Sequence, residues 1–289
     1  MLGICVVYLA PDKDAELLLN IGLDYLRSFT DGPYRIYGVA LRLSDDLTHK
    51  LQEVGVALPE IPEFKLAEYA GNAKQSDEHS HYLDQLVDFS FRDGCSHSTT
   101  FDMDSWPIVK GWNSYYCRFL TPDIPVIAMQ RVETKDNFPN PAFTMIHKSF
   151  WRLGQSSFAF YNPRCKYTIE ELKGIVLSRF QSGAGILAEL RLNKKRFFPL
   201  LRTNQWNPHP IMCGIYDHTI FHFGAGSRQP TFSRDGKDYE LIDTEMARSY
   251  AMSINGAKRA FLLDKLRSSR IEFIRQLAYG ELLNQTNRR

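Results

Sequence analysis

The feature that most constrains this chain is a change of hydrophobic period, repeated through its first 130 residues. Residues 4–10 and 34–41 are runs rich in Val, Ile, Leu and Tyr, which read as buried strands. Between them, residues 14–29 place Leu17, Leu18, Ile21, Tyr25 and Leu26 at helical spacing. A second helix is predicted over residues 44–55, with Ser44 as N-cap and Gly55 as the glycine past its end. A short strand over 56–61 follows, then a third helix over 77–92 with Leu83, Leu86, Val87 and Phe91 on one face, closed by Gly94. Residues 98–102 and 124–130 read as two more strands. Strands separated by helices need crossover connections, so the pattern predicts an α/β fold with a mostly parallel, Rossmann-like sheet flanked by helices. In such a sheet, ligands bind beyond the carboxyl ends of the strands.

After about residue 140 the pattern loosens. A helix over 167–180, a strand over 211–223 and a mainly helical extension from about 244 are expected. The division that follows is a body of residues 1–243, whose halves are 1–130 and 131–243, and a helical extension of 244–289. Residues 4–10 stop at Pro11-Asp12-Lys13-Asp14 without a basic leader or cleavage site, so they read as a first strand and not a signal peptide. No apolar run reaches the roughly 18 residues that a membrane span needs. The chain has 5 cysteines and no Cys-x-x-Cys pair, which argues for a reducing compartment such as the cytoplasm.

The sharpest local motif is Thr99-Thr100-Phe101-Asp102-Met103-Asp104-Ser105-Trp106-Pro107. Two acids one residue apart fall where an apolar strand ends, and strand alternation sends Asp102 and Asp104 to the same side. Carboxylates that close repel each other unless a cation joins them. Hard oxygen ligands suit Mg²⁺ or Mn²⁺, which also bind substrate phosphates. A solvated acidic turn is the plain alternative; the position after the fourth strand favours the metal.

A second motif is Tyr216-Asp217-His218-Thr219-Ile220-Phe221-His222-Phe223-Gly224-Ala225-Gly226-Ser227-Arg228. It delivers His222 into a glycine-rich turn followed by a hydroxyl, Ser227, and a guanidinium, Arg228. Glycines let backbone amides approach an anion, Arg forks onto phosphate oxygens, and a strand-end His can complete a metal's ligand set. A glycine-rich hairpin turn with a structural His is the alternative.

Together these motifs resemble GT-A fold glycosyltransferases, which use a nucleotide-diphosphate sugar and a divalent metal. The resemblance covers residues 3–230. It implies that Asp102 and Asp104 hold Mn²⁺ or Mg²⁺ against the donor diphosphate, with Asp104 closest to the chemistry. His222 would add a ligand, and Ser227 and Arg228 would contact phosphate. The loop departs from the glycogenin-type pattern: the glycine spacing differs, and Arg228-Gln229-Pro230 stands in place of Lys-Pro-Trp. The resemblance also implies that Tyr8, Leu9 and Ala10 lie beside the nucleoside and that Arg42 and His79 face the same pocket. The acceptor, a glycan or lipid-linked saccharide as in polysaccharide biosynthesis, would border residues 126–151. An inverting enzyme needs a carboxylate base; Glu133 and Asp217 are candidates by position, and retention or inversion stays open.

Rival readings are weaker on the residues. An Asp-x-Asp phosphohydrolase would carry its pair after the first strand. Gly183-Ala184-Gly185-Ile186-Leu187-Ala188 imitates a dinucleotide fingerprint, but no acid follows between Glu189 and Asp217 to hold a ribose. His79, His81, Cys95 and His97 fit no familiar zinc spacing. A non-enzymatic module that binds a polyanion or a membrane surface is the remaining alternative, and it rests on charge. The net charge of +2 conceals nine Lys and Arg against three acids from Met246 to Arg289, so this end is +6 and the preceding residues −4. Its apolar residues, Phe261, Leu262, Leu263, Leu266, Phe273, Ile274 and Leu277, can rest on an anionic membrane, on a second copy of the chain, or on the body. Nucleic acid is not an expected partner, and an acidic body suits a diphosphate only when a cation mediates.

Overall fold

Local signals and tertiary pairing agree, with one exception, through the first hundred residues of the computed structural model. It describes residues 1–10, 13–65, 75–160, 164, 182–204, 212–224, 231–234, 237–240 and 256–286. Strand β1 (Leu2–Leu9) leads into helix α1 (Lys13–Phe29), and β2 (Tyr34–Leu41) returns parallel to β1. In α2 (Asp45–Glu53) the Ser44 hydroxyl accepts the Leu47 N–H at 3.3 Å, the cap its sequence foretold. Helix α3 (Gln75–Arg92) then carries the chain to β3 (His97–Asp102), parallel to β1 on its other side. The strand expected over 56–61 does not form. Ala57 makes one isolated parallel bridge to Tyr37, and Pro59 and Pro62 lack the N–H groups that would extend the ladder.

Beyond β3 come β4 (Ser105–Pro107), α4 (Trp112–Cys117), β5 (Val126–Met129), a 3-10 turn at Val132–Thr134, β6 (Asn140–His147), α5 (Ala184–Leu192) and β7 (Phe197–Leu200). The main sheet runs β2-β1-β3-β6-β5-β7. All pairs are parallel except those of β6, which lies antiparallel between β3 and β5. The sheet is thus mostly parallel, and it continues through residue 130, drawing strands from both halves of the body. β6 leaves no alternating signature because seven of its eight residues are buried, having one face under each helix layer. Leu19 and Leu23 of α1 and Trp112 and Tyr116 of α4 cover one face, against Phe101 and Phe143. Leu83, Leu86 and Val87 of α3 and Ile186 and Leu190 of α5 cover the other.

The glycines of 183–188 serve this packing. Gly183 caps α5 at φ +102°, and a Cβ there would collide with the Pro139 carbonyl. The resemblance to a nucleotide fingerprint is a by-product of that close approach.

The strand expected over 211–223 is a hairpin. β8 (Gly214–Tyr216) and β9 (Ile220–His222) are joined through Asp217 and His218, whose φ angles of 49° and 55° give the tight mirror-image turn that matches strand twist. β9 also pairs with β4, which makes a three-stranded sheet β4-β9-β8. β10 (Thr231–Arg234) and β11 (Lys237–Glu240) form a separate antiparallel pair. Helix α6 (Gly256–Thr286) breaks at Ser269, where φ and ψ are −149° and 42°.

Of the apolar residues expected to dock the basic end, all but the exposed Phe261 pack on the body. Leu262, Leu263, Leu266, Phe273, Ile274 and Leu277 of α6 are buried with Leu18, Ile21 and Tyr25 on the outer side of α1, and with Trp106 and Phe221 of the small sheet. Arg267 meets Asp14 at 3.4 Å, and Arg270 meets Asp24 at 3.6 Å while lying 5.5 Å over the Tyr25 ring. Helix α1 is therefore buried on two sides, which explains why its apolar stripe is wider than one core needs. No helix among the described residues is long and apolar enough to cross a membrane. The helix expected over 167–180 lies outside the described residues.

Candidate metal centre

β3 ends at Asp102 and β4 starts at Ser105, so Met103 and Asp104 form a tight link from the main sheet to the small one. This refines the expectation that both acids share one side of a continuous strand. Asp102 ends the strand, Asp104 sits in the turn, and the two converge because β4 departs to pair with β9. Met103 turns the opposite way: it is 5% exposed, and its sulfur accepts the Leu9 N–H at 3.3 Å. β9 returns His222 to the same place, since Ser105 is the register partner of His222 and the Phe223 N–H donates to the Asp104 carbonyl at 2.9 Å.

One ligand atom from each of Asp102, Asp104 and His222 lies within 4.8 Å of the others. His222 Nε2 stands 3.6 Å from Asp104 Oδ1 and 3.9 Å from Asp102 Oδ2. The side chains of His222 and Asp104 are 4% and 6% exposed, while that of Asp102 is 29% exposed and opens the cluster to solvent. His79, on α3, brings Nε2 to 3.5 Å from Asp102 Oδ1, an oxygen itself shielded from solvent. Two carboxylates and a buried imidazole are a donor set that fits a divalent cation: hard oxygens suit Mg²⁺ and Mn²⁺, and an imidazole favours Mn²⁺ of the two.

The residues attributed to the donor pocket divide. Leu9 and Ala10 are partly buried at the carboxyl end of β1, on the same edge as the cluster. Tyr8 is 2% exposed, and its ring lies over Gly38 of β2, so its side chain belongs to the core. Arg42, just past β2, is 64% exposed and pairs with Glu78 at 3.4 Å, next in sequence to His79. Arg42 and His79 thus approach the cluster edge from β2 and α3. Ser227 and Arg228 lie outside the described residues.

The structure does not gather the two candidate bases with the cluster. Asp217 is in the hairpin turn, where it accepts from the Tyr116 hydroxyl at 3.0 Å, and four residues of hairpin separate it from His222. Glu133 has a side chain 1% exposed, accepts from the Tyr216 hydroxyl, and faces Arg131 Nε at 3.7 Å. Burial, with the neighbouring Glu133 carboxylate, pushes the Tyr216 hydroxyl above its ordinary pKa, so it stays a neutral donor. Sequence reasoning missed Tyr216, whose only signal was an aromatic two residues past a glycine. The four residues of the rejected zinc reading are dispersed: His81 meets the Pro62 carbonyl at 2.8 Å, Cys95 meets Tyr37 at 3.7 Å, and His97 stacks on His147 at 5.0 Å.

At the level of sequence, no protein-family model and no curated protein matches the chain. Solved structures match at low similarity. The mannosyltransferase PcManGT from Pyrobaculum calidifontis, solved with GDP-Man and Mn²⁺, is 9% identical over 99% of this chain and 75% of that one, at a TM-score of 0.41. The galactosyltransferase LgtC, solved with donor and acceptor sugar analogues, is 10% identical over 91% and 99%, at 0.42. Mouse xyloside xylosyltransferase 1 is 12% identical over 50% of this chain, which spans 66% of that protein, at 0.33. Nucleotidyltransferases match as well, among them a cytidylyltransferase from Leptospira borgpetersenii at 0.40. None of these scores carries a function to this chain; the geometry at Asp102, Asp104 and His222 has to.

Proposed function

We propose that this protein is a metal-dependent glycosyltransferase of GT-A type, which moves a sugar from a nucleotide-diphosphate donor to the hydroxyl of a glycan or glycolipid acceptor. One observation carries the reading. Asp102, Asp104 and His222 converge at the carboxyl end of β3, the edge where a parallel sheet of this kind presents its ligand.

In this reading Asp102, Asp104 and His222 hold Mn²⁺, or Mg²⁺ in its place. The bound cation neutralises the charge that grows on the departing nucleoside diphosphate. The chain's own residues do the rest. Asp102, the exposed member, faces the diphosphate side, and Asp104 and His222 fix the depth of the site. Leu9 and Ala10 border the nucleoside, and Arg42 and His79 close the β2 and α3 side. Arg228 and the amides of its glycine-rich loop add phosphate donors. Glu133 and Asp217, each accepting from a tyrosine hydroxyl, Tyr216 and Tyr116, stay the candidate bases for an inverting reaction.

The test uses the full chain with a panel of nucleotide-diphosphate sugars, reading released nucleoside diphosphate with and without a saccharide acceptor. Release is expected with Mn²⁺ for one donor class, and loss of release in chelator and in Asp102→Ala or Asp104→Ala. Undiminished release in chelator, or in either variant, overturns the assignment. A phosphohydrolase would release phosphate from simple phosphate esters and ignore the sugar.

A further inference from the structure

The third ligand, His222, sits on β9, a short strand of a three-stranded sheet. In the β8–β9 register, His222 is opposite Gly214 and Ile220 is opposite Tyr216, so His222 and Tyr216 point to the same face of the hairpin. Gly214 has no side chain to fill the place across from His222. The Tyr216 ring fills it: a Cβ added at Gly214 would lie 2.7 Å from Tyr216 Cε2 and 3.0 Å from the hydroxyl oxygen. Directly opposed residues of an antiparallel pair have Cβ atoms about 5 Å apart, so the ring takes the place across the ladder from the His222 side chain. The hydroxyl at the far end of that ring donates to Glu133 Oε1, and Glu133 is fixed by the 3-10 turn after β5 and by Arg131. On the next strand Ser105, the register partner of His222, is tied by its hydroxyl to the Phe221 carbonyl at 3.1 Å.

We propose that Tyr216, anchored by Glu133, is a positioning residue that fixes the orientation of the His222 imidazole for metal binding. The inference rests on the metal-centre reading above. It links β5 of the main sheet to the third ligand, and it gives the buried Glu133 carboxylate a task besides any proton abstraction. Outer groups that orient metal-ligating histidines are typically worth about 10- to 100-fold in metal affinity.

The experiment titrates the full chain with MnCl₂ and follows free Mn²⁺ by electron paramagnetic resonance, with melting in chelator recorded alongside. Tyr216→Phe keeps the ring and removes the anchor, and Glu133→Ala removes the acceptor; each is expected to weaken Mn²⁺ binding by about 10-fold or more. Glu133→Gln, whose amide oxygen still accepts from Tyr216, is expected to bind within about 3-fold of wild type. Asp88→Ala, remote from the hairpin on α3, should lower the melting temperature without changing affinity per folded molecule. If Tyr216→Phe does not fold, the contrast between the two Glu133 variants decides. Wild-type affinity in both Tyr216→Phe and Glu133→Ala overturns the positioning role and leaves the metal centre standing. Equal binding by wild type and Asp104→Ala overturns both.

Discussion

Two of the pairs of closely spaced acids in this molecule, Asp84 with Asp88 and Asp102 with Asp104, are treated in opposite ways. Asp84 and Asp88, one helical turn apart on α3, are buried and supplied with donors by the chain. Asp84 accepts from the Ser157 hydroxyl at 2.5 Å and the Phe158 N–H at 2.8 Å, with Arg164 at 3.7 Å. Asp88 accepts from Trp151 Nε1 at 2.7 Å, from the Gly154 N–H at 3.1 Å, and from Arg164. Asp102 and Asp104 instead meet imidazoles, His79 and His222, which carry charge only when protonated. The first pair fastens the 151–158 loop to α3 and is complete within the protein. The second is arranged around a place where a cation belongs. Acid spacing alone says nothing about function; what faces the acids does.

The strongest way to break this comparison is to remove an acid from each pair. Asp104→Ala is expected to lower transfer by about 1,000-fold or more, as loss of a charge-stabilising group does, with little change in melting temperature. A kinetic assay with Mn²⁺ and the preferred donor checks it, and a small loss would make Asp104 a structural acid with no part in metal binding. Asp88→Ala should do the reverse. It takes the shorter carboxylate partner from Arg164, leaving only the 3.7 Å contact to Asp84, and removes the acceptor of Trp151 and Gly154. The expected cost is about 3–5 kcal/mol in denaturant unfolding, with turnover per folded molecule unchanged.

A third test asks whether the sealed pair also differs in its response to pH. Burial is the main cause that raises the Asp84 carboxyl from 3.8 to about 7, against the opposing pull of Arg164. Between those values the folded state holds a proton that the unfolded state has released. This group's contribution to stability is therefore fully present below about pH 4 and declines as pH rises toward 7. Asp84→Asn should flatten the unfolding free energy across that window relative to wild type, by a few kcal/mol at most. An unchanged slope would mean that the Arg164 charge outweighs burial.

The two smallest effects fall on α6. Leu266→Ala, at a side chain 1% exposed, should cost about 2–4 kcal/mol. Arg267→Ala, at a pair whose side chains are 56% and 36% exposed, should cost under about 1 kcal/mol and less in high salt. If instead the arginine mattered more than the leucine, α6 would be held by charge and its buried apolar face would need another account.

Much of this was legible in the chain. The change of pattern marked β1, α1, β2, α2, α3 and β3 because the helices repeat a spacing of about 3.6 residues and the strands between them are short, mostly apolar runs. Ser44 announced the start of α2 because an N-cap hydroxyl is a local device. β6 was hidden: it is as buried as β1, but its residues, Asn140-Pro141-Ala142-Phe143-Thr144-Met145-Ile146-His147, make neither an alternation nor a continuous run of β-branched apolar residues, and its place between β3 and β5 is a matter of pairing partners far away in sequence. The hairpin at Asp217 and His218 was read as one strand because neither residue is the glycine that such turns usually advertise.

For the site, the sequence by itself determined the chemistry on offer: two carboxylates at a strand end and a histidine over a hundred residues later. Residue type and local period are sequence properties. Only the tertiary structure decided that β4 and β9 pair in a register that sets His222 beside Asp104, and that Glu133 accepts from Tyr216. It also decided that the basic helix lies against α1. Those are contacts between segments remote along the chain, chosen by which faces could be buried together, and no single segment carries that information.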